Sequence, residues 1–324
     1  MCGTCAQGSC GGYMYIKSEN YVSVVMLFHN DAGRVKEVVE RYNRFFKEHF
    51  KYYEFIFVDN ASNDDTVKLL KELNVKNTLI ELPSEYKPAA AIEAGIDCAV
   101  GDYIYEIMDV AVDFDNSVFG DMYDACQKGN DFVYAVPKKS KLASRIFYYI
   151  LNKNLHRRTH TKLTSSVCIL SSRRGQNRVT SIGNRNVNRN IAYALVGLSC
   201  AYVDVDCSYR NRRGFFENFS LMIDSFIYYT SFITHALVCA TMIFVAASLA
   251  LGLYSIISYF CDEIVEGWTS TILYVSCGFA ALFLVLSLII KYLEHILKNT
   301  TNGGSYVYKN LTKNQSGEGN RSEK

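Results

Sequence analysis

Polar side chains that could hold a ligand follow several apolar segments in the first third of this chain. Asn30 and Asp31 follow the first segment, Asp59 and Asn60 follow a second, and Asp109 follows a later one. Amide and carboxylate oxygens accept hydrogen bonds from ligands, and carboxylates also bind divalent cations. These residue types predict a polar binding site, provided that the fold brings the positions together.

The elements that carry these residues alternate between strand and helix. Apolar runs predict strands at 22–30, 53–60, 77–82 and 102–109, and helical spacing predicts helices at 31–50, 62–73 and 88–99. Ser62 is the predicted N-cap of the second helix, and Pro88 is the predicted first residue of the third. This order implies an α/β domain with a mainly parallel sheet, in which ligands bind at the carboxyl ends of the strands.

The same alternation continues beyond Asp109. We expect a helix from 116 or 117 to 128, a strand at 131–137, a helix from 140 to 155 and a strand at 165–171. These elements complete a domain predicted over 21–214, which follows a flexible N-terminus at 1–20.

Charge is distributed unevenly along a chain of 324 residues whose formal net charge is +2. Between residues 132 and 203 there is no aspartate or glutamate, whereas lysines and arginines recur, Lys138 and Arg145 among them. Such a segment favours anionic lipid headgroups or a phosphorylated ligand, at about 1 kcal/mol per basic residue near a membrane surface. The alternative is a solvated face without a ligand. No recognition motif for nucleic acid accompanies the charge, so nucleic acid is not an expected partner.

Two long apolar runs near the C-terminus predict a membrane hairpin. Residues 236–260 and 269–290 contain no charged side chain, and each is long enough to cross a bilayer as a helix of about 20 residues. The alternative is a pair of buried core helices. An aromatic, amphipathic segment at 215–235 predicts an interfacial helix before the first span. The polar tail at 291–324 is predicted to be disordered beyond Leu311.

Charges that flank the two runs predict their orientation. The loop at 261–268 carries three carboxylates and no basic residue, whereas Arg210 precedes the first run and Lys291 follows the second. By the positive-inside rule the loop is outside the cell, and the domain and tail share the cytoplasmic side. We therefore expect a multi-pass protein of the cytoplasmic (inner) membrane.

Several segments resemble a known enzyme family. Residues 56–66 (IFVDNASNDDT) resemble the V-D-D-x-S-x-D-x-T signature of inverting family 2 glycosyltransferases with a GT-A fold, with Asn60 in place of the second Asp. Residues 22–31 resemble that family's S-V-V-x-x-x-x-N-E, and residues 89–109 resemble its A-x-x-x-G-x-x-x-A-x-G-D-Y-x-x-x-M-D with one extra residue. The C-terminal part at 289–311 resembles the end of polyprenyl-phosphate glycosyltransferases, which are similar to dolichol-phosphate mannose synthase and have two C-terminal spans.

The resemblance implies transfer of a sugar from a nucleotide donor, UDP-linked rather than GDP-linked, to polyprenyl phosphate on the cytoplasmic leaflet. The expected partners are therefore a nucleotide sugar, polyprenyl phosphate and the bilayer, and a homo-oligomer is possible. The resemblance implies Asp109 as the catalytic residue. It implies nucleotide-sugar binding by Phe28, Asn30, Asp31, Asp59, Asn60, Lys87 and Asp109. It implies contacts with the acceptor phosphate from Lys138, Arg145 and Arg210.

The family's D-x-D motif holds a divalent cation, Mg²⁺ or Mn²⁺, on the donor diphosphate. Asp109 matches the first carboxylate of that motif, but the second falls at Ala111. A later D-x-D offers Asp113 as an alternative metal ligand, and N-capping of the next helix is the alternative role of Asp113 and Asp115.

The missing carboxylate at Ala111 also favours a second interpretation of the chain. In it, the protein is a non-catalytic relative that binds a nucleotide sugar or a lipid phosphate, or scaffolds a partner. A processive polysaccharide synthase is disfavoured, because the chain has no Glu-Asp pair and its only tryptophan, Trp268, lies in the predicted outer loop.

Overall fold

The structure, a computed structural model, describes residues 17–138, 142–155, 161–181, 189–208 and 306–314, with single helical positions between 239 and 296. The described strands are β1 (Ser18–Phe28), β2 (Phe50–Asp59), β3 (Asn77–Glu81), β4 (Tyr103–Ile107), β5 (Asp113–Phe114), β6 (Phe132–Pro137), β7 (Cys168–Ser172), β8 (Cys200–Val205), β9 (Cys207–Ser208) and β10 (Asn310–Asn314). The described helices are α1 (Val35–His49), α2 (Thr66–Glu72), α3 (Pro88–Cys98), α4 (Ser117–Gln127), α5 (Leu142–Leu155), α6 (Arg173–Ser181) and α7 (Arg189–Val196).

Within the described part of the chain, eight strands form one sheet in the order β10-β3-β2-β1-β4-β7-β6-β8. β1 is parallel to β2 and β4, β2 to β3, and β6 to β8, whereas β7 is antiparallel to both of its neighbours. β1 to β4, β6 and β8 therefore end at the same side of the sheet, which we call the carboxyl edge. A short ribbon of β5 and β9 pairs Asp113 with Ser208.

Helices pack against apolar side chains on both faces of the sheet. Val24, Met26 and Phe28 of β1 belong to the core that includes α1 and α4, whereas Val25 and Leu27 belong to the core that includes α3. This alternation follows from the period of two along a strand, and it produces three layers, helix, sheet and helix.

Helix α3 lies unusually close to the sheet at Gly95. A Cβ atom on this residue would lie 2.2 Å from Val25 Cγ1 and 2.9 Å from Val58 Cγ2. Glycine is therefore required by the packing of α3 on β1 and β2, which explains the glycine of the segment 89–109 in physical terms.

A buried ion pair fixes β4 to α7. Arg189 Nε donates to Glu106 Oε2 at 2.9 Å, and the two side chains are 6% and 0% exposed. Tyr193 and Gln176 also donate to Glu106 Oε1, the latter at 2.9 Å. Burial opposes the charge of Arg189, but Glu106 and Tyr193 outweigh burial and hold the pKa of Arg189 above its ordinary value.

The predicted alternation of strands and helices is confirmed from β1 to β7, with boundary differences of a few residues. The domain begins earlier than predicted, because Ser18–Asn20 belong to β1 and Ser18 pairs with Phe50 of β2. The predicted N-cap at Ser62 is wrong: α2 begins at Thr66, and Ser62 Oγ instead accepts a hydrogen bond from the N–H of Asn30.

The tail differs from the prediction, because it is ordered as β10 through Asn314. β10 pairs antiparallel with β3, whose free side would otherwise expose unpaired backbone groups. Tyr306 strengthens this contact, since its hydroxyl donates to Asp97 Oδ2 at 2.7 Å. Residues 315–324 lie outside the described part of the chain.

The predicted interfacial helix at 215–235 and loop at 261–268 lie outside the described residues, as do residues 1–16 and most of the predicted spans at 236–260 and 269–290. Among the residues that are described, no helix has both the length and the apolar composition that a membrane crossing requires.

Candidate functional site

The carboxyl edge brings the predicted site residues together. Phe28 and Asp59 are register partners at the ends of β1 and β2, and Asp109 follows the end of β4, the other neighbour of β1. Phe28 is fully buried, and its ring packs edge-on against Phe57 in the core. Its predicted contact with a nucleotide could therefore come only from its backbone.

Three residues that follow β2, within the family-like segment 56–66, fix the turn at 30–32 that follows β1. Ser62, Asp64 and Thr66 each accept a hydrogen bond from a backbone N–H of this turn. The donors are, in that order, Asn30 at 3.0 Å, Ala32 at 3.1 Å and Asp31 at 2.8 Å. The three side chains thus act as a clasp that fixes the turn 30–32, a role that the sequence pattern alone did not reveal.

The side chains of this turn are themselves held in place. Asn30 has a positive φ of 54°, which asparagine tolerates better than most residues, and its Oδ1 accepts from the N–H of Asn63 at 2.8 Å. Asp31 is buried, and its Oδ2 accepts from the N–H of His29 at 3.0 Å. Both predicted binding residues therefore shape the turn as well as facing the carboxyl edge.

Asn60 fixes the loop before α3. Its Nδ2 donates to the carbonyl of Tyr86 at 2.9 Å, and its Oδ1 accepts from the N–H of Tyr86 at 2.8 Å. An aspartate could make only one of these two bonds, which explains the departure from the second Asp of the family signature. Asn60 thereby positions Lys87, an exposed residue that is the N-cap of α3.

Asp59 has the most unusual environment of the group. Its side chain is only 3% exposed, and Oδ2 accepts from the N–H of Ser62 at 3.2 Å. Oδ1 is buried and accepts no hydrogen bond within the described part of the chain. Burial raises the pKa of this carboxyl, and the bonds from Ser62 only partly offset the effect. A buried acceptor of this kind suits an N–H or O–H group of a ligand.

The loop after β4 contains the expected metal residues. Asp109 Oδ1 accepts from the N–H of Ala111 at 2.8 Å, and the carbonyl of Ala111 accepts from Arg34 Nη1 at 3.2 Å. Asp113 forms an ion pair with Arg41. Asp115 Oδ1 accepts from the N–H of Ser117, the first residue of α4, at 3.2 Å, but the N-cap residue of this helix is Asn116.

These residues fit a divalent cation poorly. Among the described residues there is no group of three His, Cys, Asp or Glu side chains that could hold a metal ion. At the D-x-D position only Asp109 offers a carboxylate, because the second position is Ala111. A magnesium or manganese site would therefore depend on oxygens from the ligand itself. Metal binding by Asp109 or Asp113 stays a prediction.

Two of the three predicted acceptor residues, Lys138 and Arg145, belong to the described part of the chain. Lys138 follows β6 at the carboxyl edge, where its Nζ contacts Asp206 Oδ2 at 2.6 Å, and Arg145 is exposed on α5. The hydrogen bond to Asp206 raises the pKa of Lys138. Arg210 lies outside the described residues.

Other members of the basic segment have different roles. Arg173 donates to the carbonyl of Gly101 at the opposite side of the sheet, before β4 begins, and Arg174 pairs with Asp131. Arg189 is buried against Glu106. These three residues therefore make contacts within the domain, which the charge pattern of the segment did not predict.

A cleft of about 560 Å³ lies beside the site rather than over it. It is lined by Arg41, Asp113, Phe114, Asp115, Val205, Asp206 and Cys207. Three of these residues are aspartates, whose charge disfavours a phosphate. Asp59 and Asp109 lie instead where polar groups at the ends of three adjacent strands meet, the usual position of a ligand in such a sheet.

Comparison with known proteins identifies the domain. Residues 23–179 match the family described as Glycosyl transferase family 2. An uncharacterized glycosyltransferase, YkcC, of Bacillus subtilis (strain 168) is 25% identical over 122 residues, 37% of this chain and 38% of the relative. The undecaprenyl-phosphate 4-deoxy-4-formamido-L-arabinose transferase of Proteus mirabilis (strain HI4320) is 34% identical over 89 residues, 26% of this chain and 27% of that protein.

These matches span well under half the length of either curated relative. Among solved structures, glucosyl-3-phosphoglycerate synthase from Mycobacterium tuberculosis, in complex with phosphoglyceric acid, aligns with a TM-score of 0.50 and 14% identity. The alignment covers 64% of this chain and 78% of the synthase, and it shows likeness of fold. The family match and the mostly parallel sheet support a glycosyltransferase enzyme. Residues 23–179 of this chain are therefore similar to glycosyltransferase family 2, and the mostly parallel sheet is consistent with a GT-A fold.

Proposed function

We propose that this protein is a membrane-bound glycosyltransferase that moves a sugar from a nucleotide donor, a UDP-sugar, to polyprenyl phosphate on the cytoplasmic leaflet. The observation that carries the proposal is Asp59, whose buried Oδ1 has no partner among the described residues and lies at the carboxyl edge of a domain similar to glycosyltransferase family 2. The matched undecaprenyl-phosphate transferase supports the acceptor class.

In this proposal the turn at 30–32 and Asp59 hold the nucleoside of the donor. Asp59 accepts a hydrogen bond from an N–H or O–H of the base or ribose, and the clasp of Ser62, Asp64 and Thr66 keeps that surface rigid. Rigid placement matters because a small displacement of reacting groups lowers the rate strongly.

The reaction itself needs little acid–base help from the protein. An oxygen of the acceptor phosphate attacks the anomeric carbon, a new C–O bond forms, and the bond to the donor diphosphate breaks. The electron pair leaves with the diphosphate as UDP. Because the attacking phosphate is already ionised, no general base is required. Lys138 and Arg145, near the carboxyl edge, are the described residues suited to hold that phosphate.

The described ends of the long C-terminal insertion support the membrane hairpin. The chain leaves the domain after β9 at Ser208, and it returns to the same domain at Tyr306, which contacts Asp97, and at β10, which pairs with β3. Both ends are thus on one side of any membrane, which is the arrangement that a hairpin of two spans requires. Two spans, at 236–260 and 269–290, satisfy this condition.

The proposed topology predicts that the acidic loop is outside the cell. In a background in which the native cysteines are replaced by serine, Glu266→Cys should react with a membrane-impermeant thiol reagent in intact cells, whereas Asn320→Cys in the tail should react only after permeabilisation. Labelling of the tail variant but not of the loop variant in intact cells would invert the topology. Labelling of both in intact cells would contradict the hairpin.

The function is tested by assay of the full-length protein in detergent or nanodiscs. The protein is incubated with a panel of UDP- and GDP-sugars and polyprenyl phosphate, with Mn²⁺ or with EDTA, and lipid-linked sugar is measured. We expect product with at least one UDP-sugar. A sugar released to water, but never attached to the lipid, would exclude polyprenyl phosphate as the acceptor.

The second candidate is a non-catalytic relative, which the absence of a carboxylate at Ala111 favours. It predicts nucleotide binding without product for every donor tested. Nucleotide binding by calorimetry in the same preparations therefore distinguishes this candidate from the enzyme.

A further inference from the structure

Two arginines, one just before α1 and one within it, contact the loop after β4. Arg34, the residue before α1, donates from Nη1 to the carbonyl of Ala111 at 3.2 Å. Arg41, seven residues later, is ion-paired with Asp113. Because residues seven apart lie near the same face of a helix, both guanidinium groups meet the segment 109–115, where a D-x-D motif would hold its metal.

Ala111 connects Arg34 to Asp109. The N–H of Ala111 donates to Asp109 Oδ1 and the carbonyl of the same residue accepts from Arg34, so one residue connects the carboxylate and the guanidinium. The side chain of Ala111 is 3% exposed. The position of the missing second carboxylate is therefore buried in the core instead of open to a ligand.

This arrangement suits a diphosphate better than it suits a divalent cation. A cation at Asp109 would have one protein carboxylate as ligand and a guanidinium nearby that repels it. Asp113 is already neutralised by Arg41. A guanidinium keeps its charge at every physiological pH and forms paired hydrogen bonds to phosphate oxygens.

We propose that Arg34 supplies to the donor diphosphate the positive charge that a D-x-D motif delivers through a divalent cation, and that Arg41 keeps Asp113 out of that site. The inference rests on the proposed nucleotide-sugar donor. Arg34 is half-buried and has no carboxylate within 4 Å in the part of the chain that the structure describes. Its single side-chain bond there leaves further N–H donors for a ligand.

The test compares UDP with uridine, which has the same base and ribose but no phosphate. Both are titrated against the full-length protein in competition with a fluorescent UDP analogue, in EDTA and in Mn²⁺. We expect wild type to bind UDP in EDTA, and Arg34→Gln to weaken UDP roughly ten- to hundredfold while leaving uridine unchanged. The matched control is Lys36→Gln, which removes one exposed positive charge from the same helix and should change neither affinity.

Two results would overturn the proposal while keeping the nucleotide donor. One is an unchanged ratio of UDP to uridine affinity in Arg34→Gln, and the other is UDP binding that requires Mn²⁺ and persists in this variant. Binding of neither UDP nor GDP by wild type, with or without Mn²⁺, would reject the donor and this inference together. Arg34→Ala, which leaves no polar group beside Ala111, is the second variant if Arg34→Gln fails to fold, and the same ratio decides.

Discussion

Replacing Arg189 with methionine is expected to lower the free energy of unfolding by about 3–5 kcal/mol. Methionine fills much of the same space, but it leaves the Glu106 carboxylate buried at 0% exposure without its cationic partner. The hydrogen bonds from Gln176 and Tyr193 remain, yet they do not neutralise the charge. The loss should appear as a shift in the midpoint of chemical unfolding, followed by circular dichroism on the full chain.

The double variant Arg189→Met/Glu106→Gln separates charge from packing. If the uncompensated charge is the cause, the double variant should regain most of the lost stability. The matched control is Lys51→Met, which removes the cation of an ion pair with Glu19 in which the two side chains are 51% and 79% exposed, and it should leave the midpoint unchanged. Equal losses in the single and double variants would show that shape, and not charge, dominates at Arg189.

The sequence contained a signal for this ion pair that we did not use. Glu106 is a lone charged residue in an otherwise apolar strand, 103–107, and a buried charge requires a partner. The partner, Arg189, lies 83 residues away and belongs to a helix that periodicity did not predict. α6, RRGQNRVTS, is mostly polar and basic, and α7 is only eight residues long, so neither helix gave a long apolar period.

The central part of the fold was predictable because its patterns are local. Buried parallel strands read as short apolar runs, and α1 shows its buried face at helical spacing. β10 was missed for the opposite reason. Its sequence, NLTKN, is polar, and it forms a strand because its backbone pairs with the free side of β3. Such pairing depends on the partner strand and not on the residues of β10.

The positions of the candidate site residues were predicted more accurately than the roles of their side chains. Asp59 and Asp109 lie at the carboxyl edge as expected, because strand ends can be located from the pattern alone. Ser62 holds a backbone group instead of capping a helix, and Asn60 holds the loop before α3, and only three-dimensional contacts show this. Arg34 was missed because no family motif assigns a role to that position.

Asp59→Asn is expected to weaken UDP binding by about 1.5–3 kcal/mol, or roughly ten- to hundredfold, because a charge-assisted hydrogen bond is lost. Stability should not fall with it. The raised pKa shows that the ionised carboxylate is less favourable in the folded protein than in the unfolded chain. Removal of that charge should leave the melting temperature at neutral pH unchanged or higher. Binding residues often show this behaviour, because the environment that suits a ligand lowers the stability of the free protein.

The raised pKa of Asp59 also predicts how UDP affinity changes with pH. A ligand N–H or O–H bonds to the ionised form of Asp59, so binding lowers the pKa of the carboxyl and proton uptake opposes binding. UDP affinity should therefore be constant near neutral pH and should fall as the pH falls through the pKa of Asp59. That pKa lies above the ordinary aspartate value of about 3.9. The contribution of Asp59 to stability has the opposite sign: it is unfavourable above that pKa and is relieved below it.

Calorimetric titration of UDP across the acid range measures this dependence. His29 and Glu81 are the charged neighbours that act on the pKa of Asp59, so His29→Asn and Glu81→Gln are compared to assign the transition. The matched control for the substitution itself is Asp65→Asn, which removes an exposed carboxylate six residues away and should keep both the affinity and the pH profile of wild type. An acid transition that persists unchanged in Asp59→Asn would assign the proton to another group. If the affinity of that variant for UDP also equalled that of wild type, Asp59 would lie outside the donor site, and the nucleoside would have to bind elsewhere along the carboxyl edge.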